Sequence, residues 1–218
     1  MQLNTDLAAY YAKRAATYDQ KYARPERMQD LESVRDWLRT MLAQRHVLEL
    51  NCGTGYWTAD VAQVAASVLP TDHRAPLLEL AKAKKFPANV AEFVIDDVAS
   101  RSIDHSATPL DTVFAAHWWS HVLRQDQDSV LTDLRRRVPR DAMLVLVDNA
   151  YVEGSSASIA RTDLQSNTFQ IRTLDGERFE VLKNFPSDST LRKRFAAHLK
   201  DIRIRRVEHF WMLSGRLK

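Results

Sequence analysis

Three stretches of the chain, 47–50, 110–116 and 142–147, are apolar with little or no alternation. Short runs of this kind fit strands covered on both faces, and apolar residues at helical spacing lie between them. Taken in order, the pattern predicts helices at 5–22 and 26–42, a strand at 47–50, a helix at 58–66 and a strand at 67–72. A helix at 75–82, strands at 91–95 and 110–116, a helix at 122–138 and a strand at 142–147 follow. Residues 151–186 break the alternation. A polar loop at 151–158 precedes alternating segments at 168–172 and 178–182 about Asp175-Gly176, a hairpin signal. A helix from Ser187 or Asp188 to about 199 and two strands within 202–217 close the chain. This order predicts one α/β domain over 1–218, with a seven-stranded, mostly parallel sheet, helices on both faces and the last strand antiparallel.

Glycine is scarce, five residues in all, yet Gly53 and Gly55 stand together just after the strand at 47–50. Two readings stand: a strand-to-helix turn with no ligand, and a loop whose backbone approaches a ligand with free N–H groups at a helix start. A dinucleotide fingerprint beginning at Gly53 needs a third glycine where Thr58 stands. Taken from Glu49, the stretch Glu49-Leu50-Asn51-Cys52-Gly53-Thr54-Gly55 resembles motif I, E/D-x-G-x-G-x-G, of the class I S-adenosylmethionine (SAM) dependent methyltransferases. Asn51 replaces the first glycine, and Asn tolerates the left-handed region better than most residues. The resemblance implies a Rossmann-like fold and SAM as cofactor, bound by Glu49, Asn51, Cys52, Gly53 and Gly55, with the Asn51 amide at its methionine end. The second predicted strand ends in Asp72, where a Rossmann-type fold grips ribose hydroxyls; the alternative is a helix cap without a ligand. After the third strand come Asp96-Asp97-Val98. There the resemblance assigns Asp97 to the adenine amino group and the neighbouring backbone of Val98 to the ring.

The N-terminal segment carries Tyr10, Tyr11, Tyr18 and Tyr22, the last three at spacings of seven and four. One reading is an aromatic stripe packed on the core. The other is a helical lid over 1–43, with Tyr11 and Tyr18 facing the sulfonium of SAM and Tyr10 bonding a substrate. Residues 10–19 are similar to the entry segment of many small-molecule methyltransferases, which covers the cofactor. The strand at 110–116 leads into His117-Trp118-Trp119-Ser120-His121. Ligands of an open parallel sheet bind beyond such strand ends, so Trp118 and Trp119 are candidates for the substrate pocket, with helix-to-sheet packing as the alternative. Asn149 and Tyr151, after the fifth strand, are further lining candidates. His117 and His121 are the candidate bases, since a free imidazole titrates near ~6.5. The N/D-P-P-Y/F tetrad of the DNA and protein amino-methyltransferases is lacking here, which argues against adenine or glutamine-amide methylation. Asp148-Asn149 is similar to the Mg²⁺-binding pair of catechol-type O-methyltransferases. The third ligand is missing, with His117 in its neighbourhood, and Mg²⁺ prefers oxygen, so no catalytic metal is expected.

Composition narrows the rest. Hydrophobic residues make up 45% and charged residues 27%, with no apolar run of bilayer-spanning length and no basic-then-apolar leader. A cytoplasmic protein without a membrane partner is expected. Cys52 is the only cysteine, which excludes an intrachain disulfide and a cysteine-based zinc site. The net charge is +3, and the basic groups at 135–140 and 203–206 are interleaved with apolar residues, as on solvated faces. Nucleic acid is therefore not the expected partner. The expected activity is SAM-dependent methyl transfer to an O, N or C nucleophile of a small molecule. Three alternatives remain: attack on the aminobutyrate arm of SAM releasing methylthioadenosine, a non-catalytic SAM-binding module, and an RNA methyltransferase. The oligomeric state is not legible.

Overall fold

The computed structural model describes residues 3–96 and 110–218. The chain opens with β1 (Leu3–Asn4) and α1 (Leu7–Arg14), then tightens into a 3-10 stretch at Ala15–Tyr22. A single helix over 5–22 does not form. Thr17 bonds back to the Arg14 carbonyl, and the Asp19 carboxylate is drawn away to the Thr54 hydroxyl and the Lys84 ammonium. The α/β alternation then runs through α2 (Met28–Leu42), β2 (His46–Leu50), α3 (Tyr56–Val61), β3 (Ser67–Asp72), α4 (Ala75–Lys82) and β4 (Val94–Ile95). It continues with β5 (Thr112–Ala116), α5 (Gln127–Arg137) and β6 (Met143–Asn149). An insertion of β7 (Ile159–Thr162), β8 (Thr168–Leu174) and β9 (Glu177–Leu182) follows, and α6 (Asp188–Phe195), β10 (Leu199–Arg206) and β11 (Phe210–Leu217) complete the chain. Helix α5 starts later than the pattern suggested because a single 3-10 turn at Trp119–His121 leads into an extended Val122.

The main sheet has seven strands in the order β10-β11-β6-β5-β2-β3-β4. Strands β2 to β6 pair parallel, β11 runs antiparallel to β6, and β10 antiparallel to β11. Side chains along each central strand alternate between two apolar cores, so both faces need helices. Leu48, Val113, Leu144 and Trp211 pack with Leu131 and Leu134 of α5 and with Leu191 and Phe195 of α6. Val47, Phe114, Val145 and Met212 pack on the opposite face with Leu31, Val34 and Leu38 of α2 and Trp57 of α3. Chain order reverses at β2, with β3 on one side and β5 on the other, which opens a crevice at their carboxyl ends.

A second sheet, β1-β9-β8-β7, is made from the insertion and the N-terminus. Strands β8 and β9 form the hairpin closed at Asp175-Gly176, and β1 adds to β9 in parallel, Leu3 opposite Arg178. Tyr10 and Tyr11 of α1 pack against Phe179 and Val181 of β9. The N-terminal segment is thereby laid over the crevice side of the main sheet.

Candidate active site

Strand β2 delivers loop 51–55 to the crevice through left-handed turns, with φ +52° at Asn51, +61° at Gly53 and +73° at Gly55. Asn51 steadies its own turn by accepting from His73 Nδ1 at 3.1 Å. The two glycines serve different ends. A Cβ on Gly55 would stand 2.7 Å from Phe86 Cζ, so packing within the fold requires that glycine. A Cβ on Gly53 would meet nothing nearer than Tyr18 Cε1 at 3.7 Å, so only its φ and the approach of the N-terminal segment constrain it. Glu49 is buried and accepts from the Thr58 hydroxyl at 2.7 Å, fastening α3 to β2, and burial pushes its carboxyl up to about 8. Cys52 packs against Leu78, Ala81 and Phe93, and burial raises its thiol well above the ordinary range, so it is a neutral packing residue.

Asp72 lies fully buried at the end of β3. Its Oδ2 accepts from Gly53 N and an Arg74 guanidinium nitrogen, and its Oδ1 from Arg74 N and Nε, all at 2.9 Å. The Arg74 guanidinium lies 4.6 Å from the centre of the Tyr11 ring. Beyond that ring is a pocket walled by Tyr10, Tyr11, Tyr18 and Tyr22, by His117 and His121 after β5, by Asn149 at the end of β6, and by Gln170, Arg172, Val181 and Lys183 of the insertion.

The pocket is cationic. Arg14, Lys21, Arg24, Arg27, Arg172 and Lys183 line it, and among the described residues no Asp or Glu does. Burial, with Arg14 and Lys183 nearby, lowers the Lys21 ammonium well below its ordinary value. Burial also lowers Arg27 and Arg172. Behind the wall, Asp148 accepts from Lys183 Nζ at 2.9 Å and from the Ser120 hydroxyl and backbone N–H at 2.9 and 2.8 Å. Burial opposes ionisation of Asp148, but Lys183 and His117 beside it hold its carboxyl well below the usual range. His121 donates from Nδ1 to the Leu182 carbonyl at 2.6 Å, which leaves Nε2 to accept the Tyr11 hydroxyl at 2.9 Å. Burial keeps this imidazole neutral and the Tyr11 phenol protonated. His117 takes φ +56° at the end of β5 among the rings of Tyr22, Trp57 and Phe210. Neither of its ring nitrogens has a hydrogen-bond partner among the described residues, and Nδ1 lies 3.8 Å from Asp148 Oδ1. Burial, then the charge of Lys21, lowers it to about 4.

The glycine loop, the acidic end of β3 and the pocket beyond β5 can be set beside known proteins. A family model described as a methyltransferase domain matches residues 47–141. Among solved structures, a DhpI complex with S-adenosylhomocysteine (SAH) superposes with a TM-score of 0.78 at 26% identity, covering 96% of this chain and 94% of that one. A DhpI complex with SAM and HEP gives 0.78 at 27% identity, covering 95% and 94%. Residues 47–141 carry a methyltransferase domain of the class I SAM-dependent kind. A demethylmenaquinone methyltransferase of Lactiplantibacillus plantarum is 37% identical over 82 residues. That match takes in 34% of this chain and spans only 35% of the curated relative.

Tyr10, Tyr11, Tyr18, His117, His121 and Asn149 come together around one pocket. Trp118 and Trp119 do not join them. Trp119 is buried against Phe195 of α6, and Trp118 packs beside it on the same core. Tyr151 is exposed and contacts Phe185, which itself lines the pocket. Asp97 and Val98 lie outside the described residues; their neighbour Asp96 is buried and pairs with Arg137. Lys183, Arg172, Arg14 and Arg74 were not singled out by the sequence. Each sits in a stretch that reads as an ordinary basic helix, turn or strand face, and only the docking of the insertion on the N-terminal segment collects three of them at one place. Asp148 is already neutralised by Lys183, which leaves it a poor ligand for Mg²⁺. No helix among the described residues is long and apolar enough to cross a membrane.

Proposed function

We propose that this methyltransferase transfers the methyl group of SAM to a small anionic acceptor seated between the N-terminal tyrosines and the insertion. The carrying observation is a pocket lined by six cations and no carboxylate. Of these, Arg14, Lys21, Arg27 and Arg172 have no carboxylate partner among the described residues, and burying unneutralised like charges is costly unless an anion joins them. The ternary DhpI complex with SAM and HEP, on the same architecture, supports placing cofactor and acceptor side by side.

The chain's residues fit the cofactor. Gly53 presents backbone at the crevice, and Asp72 stands beside it for the ribose. The faces of Tyr11 and Tyr18 already hold the cations Arg74 and Lys21, which supports assigning these rings to the sulfonium. When bound, SAM supplies a methyl group that is already electrophilic. The protein's part is then to align the acceptor and exclude water. An ionised acceptor oxygen needs no base. A hydroxyl acceptor would give its proton to His117 or His121, both neutral at pH 7.

The test is an acceptor screen with SAM, in which small carboxylic, sulfonic and phosphoric acids are matched to their neutral amides or esters and products are read by mass spectrometry. SAH and a methylated product are expected with an acid, and Arg172→Ala should raise the acceptor KM by roughly tenfold or more while leaving the SAM KM in place. Turnover confined to neutral acceptors would overturn the anionic reading. Methylthioadenosine as the product would replace methyl transfer with chemistry on the aminobutyrate arm.

A further inference from the structure

The carboxylate of Asp72 has no room for a further partner. Both of its oxygens are taken, three of the four donors come from Arg74, and the residue is wholly shielded from solvent. A ribose diol gripping this carboxylate needs the positions that the guanidinium now fills. Cofactor and Arg74 side chain therefore exclude one another at Asp72.

A displaced guanidinium cannot be left buried and unpaired without large cost. The Arg74 side chain is only 14% exposed and lies against Tyr11, whose hydroxyl bonds His121 inside the acceptor pocket. The guanidinium already lies on the Tyr11 ring, which also walls the pocket assigned to the anion, so an anion there offers the partner it would need.

We propose that Arg74 is a positioning residue that couples the two ligands, closing Asp72 until the ribose displaces it and then adding its charge to the acceptor site. Cofactor binds first, and the anionic acceptor binds better afterwards. By reciprocity the acceptor tightens the hold on cofactor. This rests on Asp72 as the ribose ligand and on the anionic acceptor proposed above.

Calorimetry on the full chain separates these dependencies. SAH affinity is measured for wild type, Arg74→Ala, Arg74→Gln and Asp72→Asn, and inorganic phosphate serves as the acceptor-site probe with and without saturating SAH. Arg74→Ala should bind SAH several-fold tighter, because the ribose no longer competes, whereas a residue that merely supports the cofactor site would bind it more weakly when removed. Wild type should bind phosphate several-fold tighter with SAH present, and Arg74→Ala should lose that gain. Should Arg74→Ala fail to fold, Arg74→Gln keeps most of the stem and must show the same two signs. Weaker or unchanged SAH binding in the Arg74 variants, with Asp72→Asn weakened, removes the coupling and leaves the ribose contact standing. Unchanged SAH binding in Asp72→Asn moves the ribose elsewhere and takes this inference with it. Equal phosphate affinity with and without SAH in the wild type also overturns it.

Discussion

Glu49 and His117 give the fold opposite responses to pH. Burial raises the Glu49 carboxyl from an ordinary 4.5 to about 8, helped by nearby Asp72 and opposed by the Thr58 bond. Between those values the folded chain keeps a proton that the unfolded chain has lost, so stability falls as pH rises through the window. His117 is lowered from 6.5 to about 4 by burial and by Lys21. There the unfolded chain binds the proton first, and stability falls as pH drops from 6.5 toward 4. Glu49→Gln keeps an oxygen for Thr58 and should flatten the alkaline limb, sparing roughly 2–5 kcal/mol by pH 8. His117→Asn suits the left-handed backbone and should flatten the acid limb. Urea unfolding from pH 4 to 9 checks both, and unchanged limbs would mean that neither group carries the effect. Asp72 was legible at this scale because its place after the second strand is fixed by topology. Arg74 was not, since its bond back over two residues depends on a rotamer that spacing does not reveal.

At the scale of elements, the N-terminal segment lies against both the glycine loop and the cationic pocket. Its tyrosines were legible as a cluster, but the hydroxyls of Tyr10, Tyr11 and Tyr22 already find partners within the fold. Arg14 donates to Tyr10, Tyr11 bonds His121, and Trp57 donates to Tyr22. Those three phenols are therefore satisfied without a lid that closes. The stronger argument is position, since Tyr18 lies over Gly53 and the Asp19 carboxylate accepts from Thr54 at 2.6 Å, so the segment rests on the glycine loop. A cofactor bound at that loop, as proposed, would have to move it. Trypsin should cut after Lys13, Arg14 or Lys21 in the free enzyme, with SAH changing the cleavage rate at those bonds more than elsewhere. The proposed closing lid requires slower cleavage with SAH; equal rates would leave the segment as fixed packing. The pairing of β1 with β9 was not legible. It joins residues at opposite ends of the chain, and a two-residue strand leaves no periodic trace.

Across the whole molecule, the parallel sheet was readable because strands buried on both faces leave near-continuous apolar runs, as in β2, β5 and β6. The docking of the second sheet was not, because few apolar side chains carry it and polar ones complete it. Lys183 follows β9, yet its ammonium reaches Asp148 in β6 and the Ser120 hydroxyl after β5, at 2.9 and 2.6 Å. This buried contact ties the insertion, and the N-terminal segment lying on it, to the strand ends that form the crevice. Removing one partner of such a pair leaves a buried charge uncompensated, at roughly 3–5 kcal/mol, whereas removing both charges together costs much less. Lys183→Met should therefore lower stability to denaturant by about that amount, and Lys183→Met with Asp148→Asn should recover a large part of it. The same single variant should also weaken phosphate binding, since a pocket cation is lost and Asp148 is left unneutralised. If the double variant is as unstable as the sum of the two singles, the pair is not coupled. The His121 bond to the Leu182 carbonyl and the bond from Asn184 N–H to the Ser120 carbonyl would then be what holds the second sheet to the strand ends.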